Sequence, residues 1–153
     1  MAGAATIRLS PSGASVSLDP GTTLRLPEQP GGKAYLVGSK CKQCGTTFLG
    51  SRMACARCFS TEPMDEVQLS ERGELHVFSI VHQSAPGIPV PYVAAIVDLP
   101  EGVSVRCNIE GVEPDPKHLK FGMPVEMYTE VVHTDKEGNE VVAFKFRPIP
   151  DGK

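Results

Sequence analysis

Two Cys-x-x-Cys pairs, separated by ten residues, constrain the fold of this chain more than any other feature. Two residues between the cysteines of a pair let the backbone turn so that both sulfurs face one ion. Four thiolates fill the shell of tetrahedral Zn²⁺ at Zn–S distances of roughly 2.3 Å, which leaves no open position for a reacting ligand. The sequence therefore predicts a closed, structural Zn²⁺ site in a small β ribbon, with the ligands Cys41, Cys44, Cys55 and Cys58.

Disulfides, redox chemistry and iron are the alternatives to zinc. Disulfides need an oxidising compartment, but the first 30 residues carry no continuous apolar segment of the kind found in a secretory signal. No stretch is long and apolar enough to span a membrane, so we expect a cytoplasmic chain without a membrane contact. A redox pair would open a helix in a βαβ unit, which the sequence does not indicate. Iron stays open as the alternative metal, because ligand identity alone does not separate the two ions.

The composition and the apolar pattern favour short strands over helices. Gly (15 residues) and Pro (14 residues) are frequent, and both interrupt regular structure. Beyond the second cysteine pair, apolar residues alternate as they do in β-strands. Strands are predicted at 66–70 and 73–82, which form one long stretch, and at 92–99, 103–109, 125–132 and 141–146, with a turn at 114–121. This series predicts a mostly β protein, a rubredoxin-like zinc ribbon followed by a five-stranded OB-fold barrel.

These patterns divide the chain into four predicted parts. They are an N-terminal arm (1–33), the zinc ribbon (34–62), the OB-fold domain (63–148) and a C-terminal tail (149–153). The arm is rich in Ala, Gly, Ser and Pro, so we expect an extended segment outside the core, with a small hairpin between 14–18 and 23–26. In the first barrel strand, strict alternation predicts one face with Leu75, Val77, Ser79 and Val81, and an opposite face with His76, Phe78, Ile80 and His82.

Charge is distributed unevenly along the chain. The net charge is −3, yet no acidic residue lies between Gln29 and Thr61. A basic segment of this kind fits an anionic partner, such as the phosphates of CoA, a nucleic acid or an acidic protein surface. The alternative is that the cations offset the two negative charges of a Zn(Cys)₄ centre. The residues that we single out for CoA or partner binding are Lys40, Lys42, Arg52 and Arg57.

No convincing catalytic set is visible in the sequence. Cys107 is the only cysteine outside the two pairs, and its alternating neighbours are apolar, so we expect a buried thiol and not a nucleophile. The four histidines are scattered, and none stands at a metal-site or triad spacing from a carboxylate. The fingerprints of serine hydrolases, P-loops and Rossmann folds are missing as well.

A proline-rich segment between the first two predicted barrel strands is a candidate docking or pocket-covering loop. Three prolines in 86–91 stiffen it, and its apolar side chains are Ile88, Val90 and Tyr92. The alternative is an ordinary proline-rich connection. The segment 144–150 is a second candidate docking surface.

The order of these motifs resembles a known family, the zinc-ribbon/OB-fold proteins associated with acyl-CoA enzymes. The two cysteine pairs with Gly45 carry the resemblance, together with the segments 73–81, 91–99, 101–102 and 121–126. It covers about residues 34–148. The resemblance implies a small partner of a thiolase-like subunit, which itself supplies the catalytic Cys and His residues. Many members begin with an amphipathic helix, whereas the arm here is irregular, so no N-terminal contact is carried over.

We therefore predict a non-catalytic accessory subunit of a thiolase-type acyltransferase complex. The complex would act on 3-oxoacyl-CoA by thiolytic cleavage or Claisen condensation, with CoA at the subunit interface and structural Zn²⁺ in the ribbon. One alternative is a free-standing acyl-CoA-binding module. The other is a single-strand nucleic-acid binder, which is disfavoured because the predicted barrel is acidic and the chain contains no Trp.

Overall fold

The structure is a computed structural model that describes residues 7–9, 15–16, 23–27, 32–134, 136, 138 and 140–150. These residues form strands and turns and contain no helix. The described residues therefore include no helix long and apolar enough to cross a membrane. The strands are β1 (Ile7–Leu9), β2 (Ser15–Val16), β3 (Leu24–Arg25), β4 (Tyr35–Lys40), β5 (Thr47–Leu49), β6 (Asp65–Gln68), β7 (Arg72–Val81), β8 (Tyr92–Asp98), β9 (Ser104–Ile109), β10 (Pro124–Thr134) and β11 (Glu140–Pro148).

Strands β7 to β11 close into a barrel. The order is β10-β7-β8-β9-β11, and the pairing of β10 with β11 completes the ring. All neighbours are antiparallel except β9 and β11, which meet in parallel where Phe146 lies opposite Ile109. This Greek-key order is that of a small OB barrel, so the predicted fold class is confirmed. Strand β1 extends the sheet along β11 at Val142, and β2 pairs with β1.

The barrel core follows from alternation along its strands. In β8 and β9 every second residue is buried, and these side chains converge with those of β10 and β11 on the barrel axis. Phe146 of β11 is fully buried and is the largest such side chain in the described residues. Cys107 belongs to the same core, as predicted.

The predicted faces of the first barrel strand are wrong beyond Leu75. The register against β8 shifts between Leu75 and Val77, so His76 is the extra residue of a β-bulge. After the bulge the alternation is inverted: Val77 is exposed, while Phe78 and Ile80 pack against the core. The bulge arises where the loop before β10 joins β7, because Leu75 donates to the Met123 carbonyl (2.9 Å) and accepts from the Gly122 N–H (2.7 Å).

The ribbon is a second sheet with β4 at its centre, paired with β3, β5 and β6. Strand β6 corresponds to the predicted strand 66–70, but it pairs with β4 of the ribbon and does not belong to the barrel. Leu36 and Leu69 at the base of the ribbon are buried in the same cluster as the barrel core.

The predicted arm contributes to this base. Leu24–Arg25 pairs with Leu36–Tyr35 of β4, and Leu24 is fully buried. The predicted hairpin between 14–18 and 23–26 is therefore wrong, since β2 pairs with β1 instead. Most of the remaining arm lies outside the described residues.

Candidate metal centre

The two cysteine pairs form turns of the same shape. In each turn the N–H of the first cysteine donates to the carbonyl five residues later, Thr46 or Ser60, at 2.9 Å. The first cysteine's carbonyl accepts from the N–H four residues later, Gly45 or Phe59, at 3.0 Å. This arrangement turns both sulfurs of a pair toward the same point.

The residue that closes each turn has a positive φ. It is Gly45 in the first turn, at φ 72°, and Phe59 in the second, at φ 61°. Glycine has no Cβ and adopts this left-handed conformation without strain, whereas phenylalanine does so at a cost. Among the described residues other than glycine, Phe59 alone has a positive φ.

The four sulfurs meet in one cluster. All four Sγ atoms lie within 4.8 Å of one another, with 3.7 Å between those of Cys41 and Cys58 and 3.5 Å between those of Cys44 and Cys55. A tetrahedron with metal–sulfur bonds of roughly 2.3 Å has sulfur–sulfur edges of about 3.8 Å. A disulfide would need about 2.05 Å, and all the cysteines are free thiols. The geometry fits a single metal ion held by four protein ligands.

The hydrogen bonding of the sulfurs is uneven. Hydrogen bonding with the side chain and the backbone of Thr46 lowers the pKa of Cys44 to about 6. The backbone N–H of Cys58 holds the pKa of Cys55 below its ordinary value. At Cys58 the Ser60 N–H lowers the pKa, but burial and the three neighbouring sulfurs outweigh it and raise the pKa to about 11. Four negative charges in this space therefore need a cation among them, and metal binding would release protons.

Three of the four predicted basic residues have partners within the ribbon. Lys42 Nζ lies 3.4 Å from Asp65 Oδ1, and Arg57 donates to Thr46 Oγ1 at 3.2 Å, which ties the two turns together. The Arg52 guanidinium lies 4.8 Å from the centroid of the Phe48 ring. Lys40 is exposed at the end of β4. The cations thus support the ribbon locally, although exposed contacts of this type are weak and leave the charges accessible to a partner.

The proline-rich loop lies against the barrel and forms a separate groove. Ile88 and Val90 are exposed, and Tyr92 begins β8. A groove of about 490 Å³ is lined by Ile88, Tyr92, Asn108 and Lys145 among others, and no ribbon residue lines it. The structure therefore does not bring the predicted basic and apolar binding residues into one pocket.

Two polar features at the barrel surface were missed from the sequence. The Lys145 ammonium is held between the carboxylates of Glu110 and Glu130, and Tyr128 donates to Glu110 at 2.9 Å. The side-chain oxygen of Asn108 is buried and accepts no hydrogen bond from the described residues. Strand pairing brings these residues together although they lie up to 35 positions apart in the sequence, so no local spacing indicates the cluster.

Two histidines lie beside carboxylates that their sequence spacing did not indicate, and one of them is His118, whose Nδ1 lies 3.6 Å from Glu113 Oε2. His76 Nδ1 lies 2.7 Å from Asp98 Oδ2, and Ser104 donates to Asp98 Oδ1 at 2.6 Å. A catalytic serine would be hydrogen-bonded to the imidazole and not to the carboxylate. Burial raises the pKa of Cys107 to about 12, which makes that thiol a poor nucleophile.

Comparison with known proteins gives the family. A family model described as "ChsH2, C-terminal OB-fold domain" matches residues 66–130. A DUF35 domain-containing scaffold protein of Methanothermobacter thermautotrophicus is 36% identical over 116 residues, which are 74% of this chain and 86% of the relative. The benzoylsuccinyl-CoA thiolase subunit BbsA of Geobacter metallireducens is 34% identical over 119 residues, 78% of each chain.

Among solved structures, one titled "Ltp2-ChsH2(DUF35) aldolase" superposes with a TM-score of 0.57 at 28% identity, over 74% of this chain and 84% of that chain. These matches confirm the resemblance that the motifs indicated. With its OB barrel and its cluster of four cysteines, the chain belongs to the DUF35 family of thiolase-associated proteins.

Proposed function

We propose that this chain is a zinc-binding, non-catalytic accessory subunit of a thiolase-type acyltransferase complex in the cytoplasm. The partner subunit would carry the reactive cysteine and histidine and would cleave or condense a 3-oxoacyl-CoA. One observation carries the proposal: the chain is 34% identical, over 78% of both proteins, to a relative whose name makes it a subunit of a thiolase. The superposed aldolase, whose title joins Ltp2 to a DUF35 chain, supports a catalytic partner of this general kind.

Zinc in a structural role is supported by the donor set. Four thiolates around one point suit Zn²⁺, and a shell filled by protein leaves no place for substrate. Little apolar burial stabilises the ribbon around the four cysteines. Strand β5 has only three residues, all half-buried, so the binding free energy of the metal would serve as folding free energy.

The side chains that the structure brings together support catalysis by a partner subunit and not by this chain. Cys107 is enclosed in the barrel core, where neither substrate nor base reaches it. The His76–Asp98 pair is exposed and has no nucleophile hydrogen-bonded to the imidazole in the described residues. The chain's contribution would then be assembly, with acyl-CoA contacted at the subunit interface.

Two surfaces are proposed for CoA. The cations of the ribbon suit its phosphates, and the groove beside the proline-rich loop has apolar side chains such as Ile88 and Val112 in its walls. A narrower proposal is that the complex acts on an aromatic acyl-CoA such as benzoylsuccinyl-CoA. It rests on two BbsA relatives, which are 34% and 31% identical to this chain.

Co-expression with a thiolase-like protein of the same organism tests the proposal. We expect a hetero-oligomer by mass measurement, with thiolytic activity that the isolated chain does not have.

Charge reversal at Lys42 and Arg57 should weaken assembly or raise the KM for CoA. The turnover rate with benzoylsuccinyl-CoA, compared with that for acetoacetyl-CoA, tests the choice of acyl group. Activity in the isolated chain, or tight and salt-dependent oligonucleotide binding, would contradict the proposal.

A further inference from the structure

The second cysteine turn carries the two most exposed large apolar side chains of the described residues. Met53, two residues before Cys55, is 92% exposed, and Phe59, directly after Cys58, is 81% exposed. Neither side chain contributes to the core cluster. Two exposed apolar residues that bracket one short turn mark a contact surface more strongly than scattered ones do.

The backbone at Phe59 makes this exposure unusual. The turn needs a left-handed residue at this position, and the first turn meets the same requirement with Gly45. Glycine at position 59 would relieve the strain and remove an exposed ring, so neither stability nor solubility explains a phenylalanine there. Strained residues that fold stability does not require are typical of functional sites.

The charge around this turn indicates what it contacts. From position 52 to Thr61 the turn carries Arg52 and Arg57 and no acidic residue. Two lysines of the same basic segment, Lys33 and Lys42, are instead paired with carboxylates of the chain itself. A second copy that presented the same face would bring the cations of this turn against one another, as a twofold contact requires. A surface that pairs with this face therefore carries carboxylates around an apolar depression.

We infer that Phe59 is the anchor by which the ribbon docks into an apolar socket, rimmed by carboxylates, on the catalytic partner subunit. This inference rests on the proposed function and adds to it the surface and the chemistry of its partner. Phe59 fills the socket, Met53 extends the apolar contact, and the ribbon cations face the rim. Aromatic anchors in desolvated pockets are the residues that dominate such interfaces.

The test compares Phe59→Gly with the wild-type chain, both loaded with Zn²⁺, in binding to a purified thiolase-like protein of the same organism. We expect the Kd to rise at least about thirtyfold, the cost of removing an aromatic hot spot. The metal content should stay the same, and the Tm of the free chain should be unchanged or higher because the strain is gone. Phe59→Tyr keeps the ring and should bind nearly as wild type. As a matched control, Phe121→Ser removes an aromatic ring that is 71% exposed on the barrel and should change the Kd less than about threefold.

Each other outcome has a distinct meaning. If the wild-type chain does not bind the thiolase-like protein, the proposed function fails and this inference fails with it. If the wild type binds and Phe59→Gly binds equally well, the proposed function stands and the anchor is refuted. Self-association of the free chain that Phe59→Gly abolishes would assign the surface to a second copy and overturn the choice of partner. Loss of metal or a lower Tm in Phe59→Gly would show that Phe59 serves the fold.

Discussion

The tip of the ribbon and the barrel are held in shape by different forces. The barrel encloses fully buried side chains such as Phe146, Leu75 and Val105, and apolar burial stabilises it. In residues 40–62, by contrast, the buried apolar side chains are only Cys41 and Cys55. Fixing a residue's backbone costs roughly 1–2 kcal/mol, which so little burial cannot offset. In the proposed function, metal coordination by the four cysteines substitutes for apolar burial.

The difference explains where the exposed apolar residues lie. A segment whose fold depends on coordination does not need its large side chains inside. Phe59 and Met53 at the ribbon tip are therefore free to contact another protein, whereas the aromatic Phe146 of the barrel is committed to the core. The predictions below separate the two regions.

Removal of the metal should have the largest effect and should be confined to the ribbon. Structural Zn²⁺ in zinc-finger peptides contributes about 10–16 kcal/mol of apparent binding free energy at pH 7. We expect chelation, or Cys55→Ser, to unfold the ribbon tip while the barrel stays folded. Amide hydrogen exchange should accelerate from Cys41 to Phe59 and stay slow in β8 and β9. As the matched control, Cys107→Ala should retain the metal and weaken only the barrel, and equal exchange rates in both regions after chelation would refute the division.

Truncation of the barrel core should have the next largest effect. Phe146→Ala removes a fully buried ring, and changes of this kind cost about 3–5 kcal/mol of unfolding free energy. Urea denaturation measures it. Val131→Ala, which shortens an exposed side chain of β10, should change stability by less than about 0.5 kcal/mol. Similar losses in both variants would mean that β11 does not form the core described here.

The lysine between two carboxylates should give a smaller effect that depends on pH. Burial would raise the pKa of Glu110, but hydrogen bonds from Lys145 and Tyr128 outweigh it and hold the pKa below its ordinary value. A carboxyl group whose pKa is lowered in the folded state stabilises the protein at pH values above its unfolded-state pKa. This stabilisation is lost as the pH falls through the folded-state pKa.

Lys145→Met should therefore cost about 1 kcal/mol at pH 7, a modest figure because the two carboxylate side chains are 44% and 40% exposed. The cost should shrink below about pH 4, where carboxylates protonate. Urea denaturation of both proteins at pH 7 and pH 3 checks this expectation. An equal loss at both values would show that packing, and not charge, is responsible.

The two cysteine turns should respond in opposite directions to small changes. Gly45→Ala places a Cβ on a left-handed residue and should cost about 1 kcal/mol, whereas Phe59→Gly should be neutral or stabilising by up to about 1 kcal/mol. The midpoints of thermal unfolding of the zinc-loaded chains give both values. If both changes destabilise equally, the two turns do not share one backbone requirement.

Local patterns in the sequence predicted much of this structure. The cysteine spacing indicated the cluster, and period-two alternation indicated the barrel strands and the buried Cys107, because both signals lie within a few neighbouring residues. The bulge at His76 was missed, since it is fixed by hydrogen bonds between Leu75 and the distant loop at Gly122 and Met123.

Long-range pairing accounts for the other differences. Leu24 and β6 both pair with β4, and the cluster around Lys145 joins β10 and β11 to Glu110, which directly follows β9. Such contacts depend on which strands become neighbours, which no short window of sequence specifies. The positive φ of Phe59 was likewise invisible until the two turns could be compared.

The most direct test of the central claim, that the metal shapes a docking element and takes no part in chemistry, is a metal exchange. The thiolysis rate of the assembled complex would be measured with Zn²⁺ and with Cd²⁺ in the four-cysteine site, at equal complex mass. A structural role predicts rates equal within about twofold, because a closed four-thiolate shell does not contact the substrate. A rate that changes tenfold or more while the complex stays intact would contradict the account.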